Sequence, residues 1–342
     1  MSRPTITDIA EAAGVSLATV DRVLNARPGV RRVTIERVNA AIARLGYVRD
    51  LHAANLARKR DYRVVFFLPA GSGQFLTGLR RTVEDSIGAA RAERTDLAVV
   101  PFAPHDPHCL AGALDALDCR EIDGIAIMAP ETPHLRDAIA RLKAGGVAVV
   151  ALVSDLPNSA RDHFVGINNI AAGRTAASLM GRFICARPGR IAVIAASMQS
   201  RDSIERRLGF DQVIGESFAG LEVLPTVEGH DEPAALARGV RALLGANPDI
   251  AGVYNMATGN RALIGLMREH RLAGRVAMIA HELTESTRAG LVEGVIDAVI
   301  TQDLGHIVRS ALRVLRATSD ARAVLPAQER IRIEVILREN LG

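Results

Sequence analysis

The sequence predicts two units of different class: a small all-α head, and a larger α/β body with parallel sheets in two similar lobes. Three observations support this. A length of 342 residues exceeds what one ordinary core holds. Helical periodicity around a central glycine fills the first part of the chain. From Arg63 onward, apolar runs of strand length alternate with amphipathic helical segments.

Composition narrows the function classes. About half of the residues are apolar, yet no run approaches the roughly 20 apolar residues of a membrane span. The start, MSRPTITDIAEAAGVS, has no apolar stretch behind a charged end, so a cytoplasmic chain is expected. Cys109, Cys119 and Cys185 are odd in number and lack metal-ligand spacing, which reads as buried or incidental thiols in a reducing compartment. Charge is uneven. Residues 1–63 hold twelve Arg and Lys against six acids, a net +6, which leaves −2 on the other 279 residues. A basic head on a near-neutral body suits contact with a polyanion through the head alone, although an ordinary solvated surface accounts for it equally.

Within the head, Thr5-Ile6-Thr7-Asp8 resembles a capping box with Asp in place of Glu, and Ile9, Ala12 and Ala13 continue an apolar stripe. Gly14 ends that helix where a tight turn needs positive φ. Ser16 can cap a second helix, Leu17 to Asn25, with Val20, Val23 and Leu24 inward. A third helix around Thr34 to Leu45 offers Ile35, Val38, Ile42 and Leu45 to close a three-helix core. The order is that of a helix-turn-helix, a spacing that many bundles share.

The residues are more specific than the spacing. TITDIAEAAGVSLATVDRVLN followed by VTIERVNAAIARLGYV resembles the DNA-binding head of the lactose-repressor (LacI) family, densely over residues 4–58 and more thinly to the C-terminus. The resemblance implies that Leu17, Ala18 and Arg22 face base edges in the major groove. There an Arg can make a bidentate contact to guanine, and small apolar groups can meet thymine methyls. Thr5, Ser16 and Thr19 would hold phosphates together with helix N-terminal amides. The alternative for Leu17 is packing in the head's own core. Two departures stand out. Asp21 replaces the family's usual Ser and is expected to face away from DNA, while Arg31 and Arg32 replace a small polar cap and could contact phosphate instead.

Residues 50–60, DLHAANLARKR, are helix-compatible but too short to be a stable helix alone. By the same resemblance this hinge folds on DNA beside its dimer mate, with Leu56 wedged into the minor groove and Ala53 allowing close helix contact. A plain basic linker is the alternative.

In the body, strands are expected at Val64–Leu68, Ala98–Val100, Gly124–Met128, Ala148–Val153, Ile191–Ala195, Gly252–Tyr254, Ala277–Ile279 and Ala298–Thr301. Helices such as Leu79–Glu93, Leu135–Gly145, Ala171–Ala186, Ile204–Gly215, Ala234–Ala246 and Asn260–His270 separate them. Ligands of such sheets bind at the carboxyl ends of the strands. Enzyme motifs fail there. Leu76 stands where a dinucleotide fingerprint begun by Gly71 and Gly73 needs glycine, and Glu285 stands where a zinc motif begun by His281-Glu282 needs histidine. No enzyme activity and no cofactor are expected.

The strand ends instead carry Ser72, Gln74, Asp155, Asp202, Arg206, Asn255, Glu282 and Gln302, a polar set suited to hydroxyls, with Phe75 able to cover a sugar's apolar face or simply to pack in the core. The body resembles the type I periplasmic-binding-protein-like sensor of the same family. That match implies that Asp155, Arg206, Asn255, Glu282 and Gln302 line an inter-lobe cleft. Asp155 and Asn255 as turn or cap residues remain the alternative. Glu282, where Asp is commoner, and His281 beside it are departures that leave the ligand open.

The resulting expectation is a head at 1–48, a hinge at 49–61 and a two-lobed sensor at 62–342, with lobe crossings near 165, 300 and 328. As implied by the family, the chain is a repressor-type transcription regulator and at least a homodimer. Its partners are double-stranded operator DNA and a small polar effector, a sugar or polyol, with no membrane. A regulator sensing a purine, or a sugar-binding transport protein, is the alternative.

Overall fold

The elements form where sequence and capping chemistry agree, and a computed structural model describes residues 4–24, 28–45, 60–103, 106–185, 187–230, 232–256 and 259–341. The chain divides into two units, Met1–Arg60 and Asp61–Gly342. In the first, Thr5 caps α1 (Ile6–Ala13) through a complete capping box with Asp8, and Gly14 ends it at φ 59°. Ser16 opens α2 (Leu17–Leu24), and α3 (Arg32–Leu45) closes the bundle. Ile9, Ala10, Ala13, Val20, Val38 and Ala41 form its core. Ile35, expected inside, is 36 % exposed because the stripe of α3 runs through Val38 and Ala41 instead.

In the second unit the order is β1 (Tyr62–Pro69), α4 (Gln74–Asp85), α5 (Ile87–Ala92), β2 (Thr95–Phe102), α6 (Pro107–Asp115), β3 (Gly124–Ile127), α7 (Pro133–Ala144), β4 (Ala148–Leu152) and β5 (His163–Val165). These strands pair in parallel as β2-β1-β3-β4-β5. Then follow α8 (Asn169–Phe183), β6 (Gly189–Ala195), α9 (Arg201–Ser217), β7 (Leu221–Val223), β8 (Val227–Glu228), α10 (Pro233–Ala246), β9 (Ile250–Asn255), α11 (Asn260–Glu269), β10 (Ala277–His281), α12 (Glu285–Val292) and β11 (Ala298–Thr301). The second sheet runs β11-β10-β9-β6-β7, with β8 also on β6 and a last strand, Glu334–Ile336, on the outer side of β11. After β11 the chain returns to the first sheet as α13 (Leu304–Ser319), whose Ile307, Val308, Ala311 and Leu315 join Phe66, Ala126 and Val150 in one core. It then comes back as β12 (Glu334–Ile336), which pairs antiparallel with β11, the one exception to the parallel pattern among the described residues.

The long helix expected over Leu79–Glu93 is two helices meeting at Ser86, whose hydroxyl bonds back to Thr82 O at 2.7 Å. Cys109 and Cys185 are exposed and Cys119 is half-buried, all three as free thiols, so burial is not what places the first two.

One packing contact bears on everything near the cleft. A Cβ added at Gly173 on α8 would lie 1.9 Å from Arg206 O, and one at Gly209 on α9 would lie 2.1 Å from Ile170 O. The two helices therefore cross in backbone contact. Gly173→Ala or Gly209→Ala forces them apart and should lower stability by about 1–3 kcal/mol. Gly215→Ala, at an exposed position on α9 with nothing within 4 Å of the added methyl, should raise it by about 0.5–1 kcal/mol. Chemical denaturation followed by circular dichroism compares the three, and similar effects at all of them would show that the crossing has room to spare.

Candidate nucleic-acid surface and ligand cleft

On the head, the second helix offers an open face. Leu17 is 51 % exposed, and Ala18 and Arg22 are also exposed, so Leu17 does not fill the core. Ser16 Oγ lies 2.9 Å from Thr19 Oγ1 and accepts Thr19 N at 3.2 Å, which fixes the start of α2. Thr5 is already engaged: its backbone N and its hydroxyl donate to Asp8 Oδ2 at 2.6 and 2.8 Å. Those bonds hold the Asp8 carboxyl below its usual range. Beside α2 lies a shallow depression of about 340 Å³, lined by Ser16, Thr19, Arg22, Arg31, Thr34 and Arg37 among others. Three guanidiniums and three hydroxyls in one concavity suit a phosphate oxygen. Arg32 turns away and pairs with Glu36 at 3.1 Å. Thr34 and Arg37 escaped the sequence reading, although their three-residue steps from Arg31 put them on one side of α3. Ala53 and Leu56 lie outside the described residues.

In the body, the carboxyl ends of the two sheets meet. Gln74, at the start of α4 after β1, accepts Ser286 N at 3.3 Å and reaches Glu285 Oε2 at 3.5 Å, at the start of α12 after β10. Asn169 Nδ2, at the start of α8, donates to Val153 O at 3.3 Å. Two non-glycine residues take left-handed backbone directly after strands, Val153 at φ 63° after β4 and Glu282 at φ 67° after β10. Such conformations cost about 1–3 kcal/mol and gather where a site needs a particular side-chain direction.

Arg206 is the centre of the polar cluster and is 3 % exposed. Its Nε donates to Asn169 Oδ1 at 2.9 Å and its Nη1 to Met256 O at 3.1 Å. The carboxylates of Asp202 and Glu282 lie 3.8 and 3.9 Å from the guanidinium. Glu282 also accepts Gln302 Nε2 at 2.8 Å and Thr301 Oγ1 at 3.4 Å. Asn255, fully buried, donates to Asn260 Oδ1 at 2.7 Å, and Asn260 donates to His281 O at 3.3 Å.

Burial pushes the Glu282 carboxyl up to about 7, against the pull of Arg206 and the bonds from Gln302 and Thr301, and Asp202 adds to the rise. His281 is held well below its usual range by burial and then by Arg206, so it stays neutral. Its Nε2 lies 2.8 Å from the Tyr254 hydroxyl, and the Tyr254 ring stacks on Phe210 with centroids 4.5 Å apart. Among the described residues, Gln302 Oε1, Ser154 Oγ and His281 Nδ1 are buried without a hydrogen-bond partner. Buried polar atoms left so are uncommon and call for an explanation.

The expected site residues thus fall into two groups. Asp202, Arg206, Asn255, Glu282 and Gln302 come together, and Gln74 bridges the two sheets. Asp155 is gripped by Arg161, with Nη2 to Oδ2 at 2.7 Å, and Leu156 N donates to it, so it organises its own turn. Ser72 is exposed, and Phe75 packs partly buried against the large core. Asn169, Ser154, Asn260 and Thr301 were not anticipated. All four lie at or within six residues beyond a strand end, and that position was the available signal.

Residues 64–322 match a family model described as a periplasmic binding protein domain, and residues 5–50 match that of bacterial regulatory proteins, lacI family. Catabolite control protein A of Priestia megaterium is 42 % identical over 81 residues, 24 % of each chain. The HTH-type transcriptional regulator DegA of Bacillus subtilis is 25 % identical over 217 residues, 63 % of this chain and 62 % of DegA. These alignments span less than two thirds of either relative. Among solved structures, a solute binding protein from Burkholderia graminis in complex with D-arabinose superposes with TM-score 0.75 at 23 % identity, covering 82 % of this chain and 97 % of that one. A glucose-galactose binding protein from Geobacillus stearothermophilus gives TM-score 0.73 at 18 % identity, covering 82 % and 99 %. At these identities the two structures speak for the fold. The chain therefore belongs to the periplasmic binding protein domain family over most of its length, and carries at its start the helix-turn-helix head of the lacI family of bacterial regulatory proteins.

Proposed function

We propose that the protein is a ligand-responsive DNA-binding transcription regulator, a repressor working in the cytoplasm as a homodimer, with a sugar or polyol held between its two lobes. One observation carries the reading: a single chain joins a helix-turn-helix head with an open second helix to a body of binding-protein fold. A transport protein has no use for the basic head. The relatives DegA and catabolite control protein A bear regulators' names, and the Burkholderia structure holds an aldopentose.

In this reading Leu17, Ala18 and Arg22 read base edges, while Ser16 and Thr19, with Arg31, Thr34 and Arg37, hold the backbone. Thr5 joins them only by exchanging its bonds to Asp8. Ala53 and Leu56 would act in the minor groove. Two heads related by a two-fold axis meet two half-sites. In the body, Asp202, Arg206, Asn255, Glu282 and Gln302 would bind hydroxyls, with the partnerless Gln302 Oε1 and Ser154 Oγ completed by the ligand. No helix among the described residues is long and apolar enough to cross a membrane.

Arg22→Ala should cost about 1–3 kcal/mol of discrimination at one base position while leaving most non-specific binding. Fluorescence titrations on operator and scrambled duplexes measure this, and an equal loss on both would remove Arg22 from base reading.

The Glu282 carboxyl generates a second expectation. Its folded value, about 7, is above the ordinary 4.5, so the folded state binds the proton more tightly than the unfolded chain. The stability this contributes is complete below the unfolded value and is lost as pH rises to the folded one. Glu282→Gln cannot lose it. The difference in melting temperature, variant minus wild type, should therefore grow in the variant's favour from about pH 5 to about pH 8. A difference that stays flat across that window would place the Glu282 carboxyl at its ordinary value.

A further inference from the structure

Taking the cleft as the effector site, we propose that the effector is an uncharged polyhydroxyl compound, and that the carboxylates at the strand ends exclude phosphorylated and carboxylated sugars. The inference rests on how the cations there are already committed. Arg206 has Asp202 and Glu282 at 3.8 and 3.9 Å. Arg201, one turn earlier on α9, is paired with Glu205 at 2.7 Å. Arg161 is held by both oxygens of Asp155. Beside the cleft, a depression of about 330 Å³ is lined by Arg201, Glu205 and Glu131 among others, and Glu131 accepts two bonds from Asn158 rather than meeting a guanidinium.

At these strand ends, then, carboxylates outnumber guanidiniums. An incoming phosphate or carboxylate that reaches Arg206 must lie against the Asp202 carboxylate, and against Glu282 wherever that carboxyl is ionised, in a site where charges are weakly screened. Like charges brought together in this way are a means of rejecting a wrong ligand. A hydroxyl meets no such opposition. It can donate to Asp202, Glu282 or Gln302 Oε1, and it can accept from Arg206 or Ser154 Oγ. Arg80 is the exception to the pairing. Its Nη2 reaches only Pro69 O, at 3.5 Å, and its Nε is buried without a partner among the described residues.

Calorimetric titration of the full chain with matched pairs that keep the sugar ring tests the rule: glucose and its phosphate ester, galactose and galacturonate, arabinose and its 1-phosphate. At least one neutral sugar should bind, and its anionic counterpart should bind at least about tenfold more weakly. In Asp202→Asn that gap should narrow several-fold, since the repelling charge is gone while the shape is kept. Glu282→Gln, compared with wild type at about pH 8 where the Glu282 carboxyl is ionised, serves in the same way if Asp202→Asn fails to fold, as judged by its unfolding curve. An anionic member that binds as tightly as its neutral partner overturns the charge rule and leaves the sugar reading intact. A gap unchanged in the folded variant assigns the discrimination to size and also overturns the rule. No binding to any member overturns the polyhydroxyl reading itself, and the charge rule with it.

Discussion

The backbone contact between α8 and α9 sets where Asn169 and Arg206, the centre of the polar cluster, meet. Gly173 lies against Arg206 O and Gly209 against Ile170 O, so each helix presents a glycine where the other's main chain passes. Only at that separation does Asn169, on the first turn of α8, reach Arg206 Nε at 2.9 Å. Arg206, held there, extends to Met256 O beyond β9 and lies within 4 Å of Glu282 beyond β10. One close crossing thus brings the ends of three chain segments to a common guanidinium. Side-chain hydrogen bonds alone would not do this, because each is worth only about 1 kcal/mol net. Rigid packing underneath is what makes their geometry single-valued.

The same economy of position is visible in the backbone at the strand ends. Val153 and Glu282 both take the left-handed conformation immediately after a buried strand. A β-branched residue does so at a cost. At each place the next strand helps to hold the turn: Val153 N donates to Val165 O at 3.0 Å, and Glu282 N to Ile300 O at 2.8 Å. The reversal leaves Val153 O available to Asn169 and the Glu282 carboxylate available to Gln302, Thr301 and Arg206. The strain is therefore matched by specific bonds in both lobes.

Most of the fold was legible because buried strands must be apolar over their whole length, as at Gly124–Ile127, Ala148–Leu152 and Ala298–Thr301. Strands of two or three residues, such as β5, β7, β8 and β12, are too short to carry a period, and tertiary pairing alone creates them. The split at Ser86 rests on one side-chain bond within a continuous helical pattern. In the cleft, the strand-end rule and the family resemblance together named Arg206, Asn255, Glu282 and Gln302. Neither could tell that Asp155 is taken by Arg161, six residues on, since sequence records no side-chain direction. Asn169 was hidden for a related reason: it acts through a helix crossing whose glycines look ordinary until the partner helix is in place.

The two lobes are packed on one another through a shared core, and this bears on how a ligand could act. Their sheets share one apolar cluster, in which Phe66, Val150 and Leu152 from the first group with Val193, Tyr254 and Ile300 from the second. Tight packing of this kind changes between discrete arrangements rather than by continuous deformation. A ligand shifts such an equilibrium only by its difference in affinity between the arrangements. The contacts able to supply that difference are those that cross from one sheet's strand ends to the other's, namely Gln74 with Ser286 and Glu285, and Asn169 with Val153 O. A ligand bonded only to Glu282 and Gln302 would touch one lobe, whereas one bonded to Arg206 also bears on Asn169 and, through it, on Val153 O of the other. In the proposed reading an effector gains leverage by also engaging groups at the ends of β1 or β4, where Ser154 is buried with its hydroxyl unpartnered among the described residues.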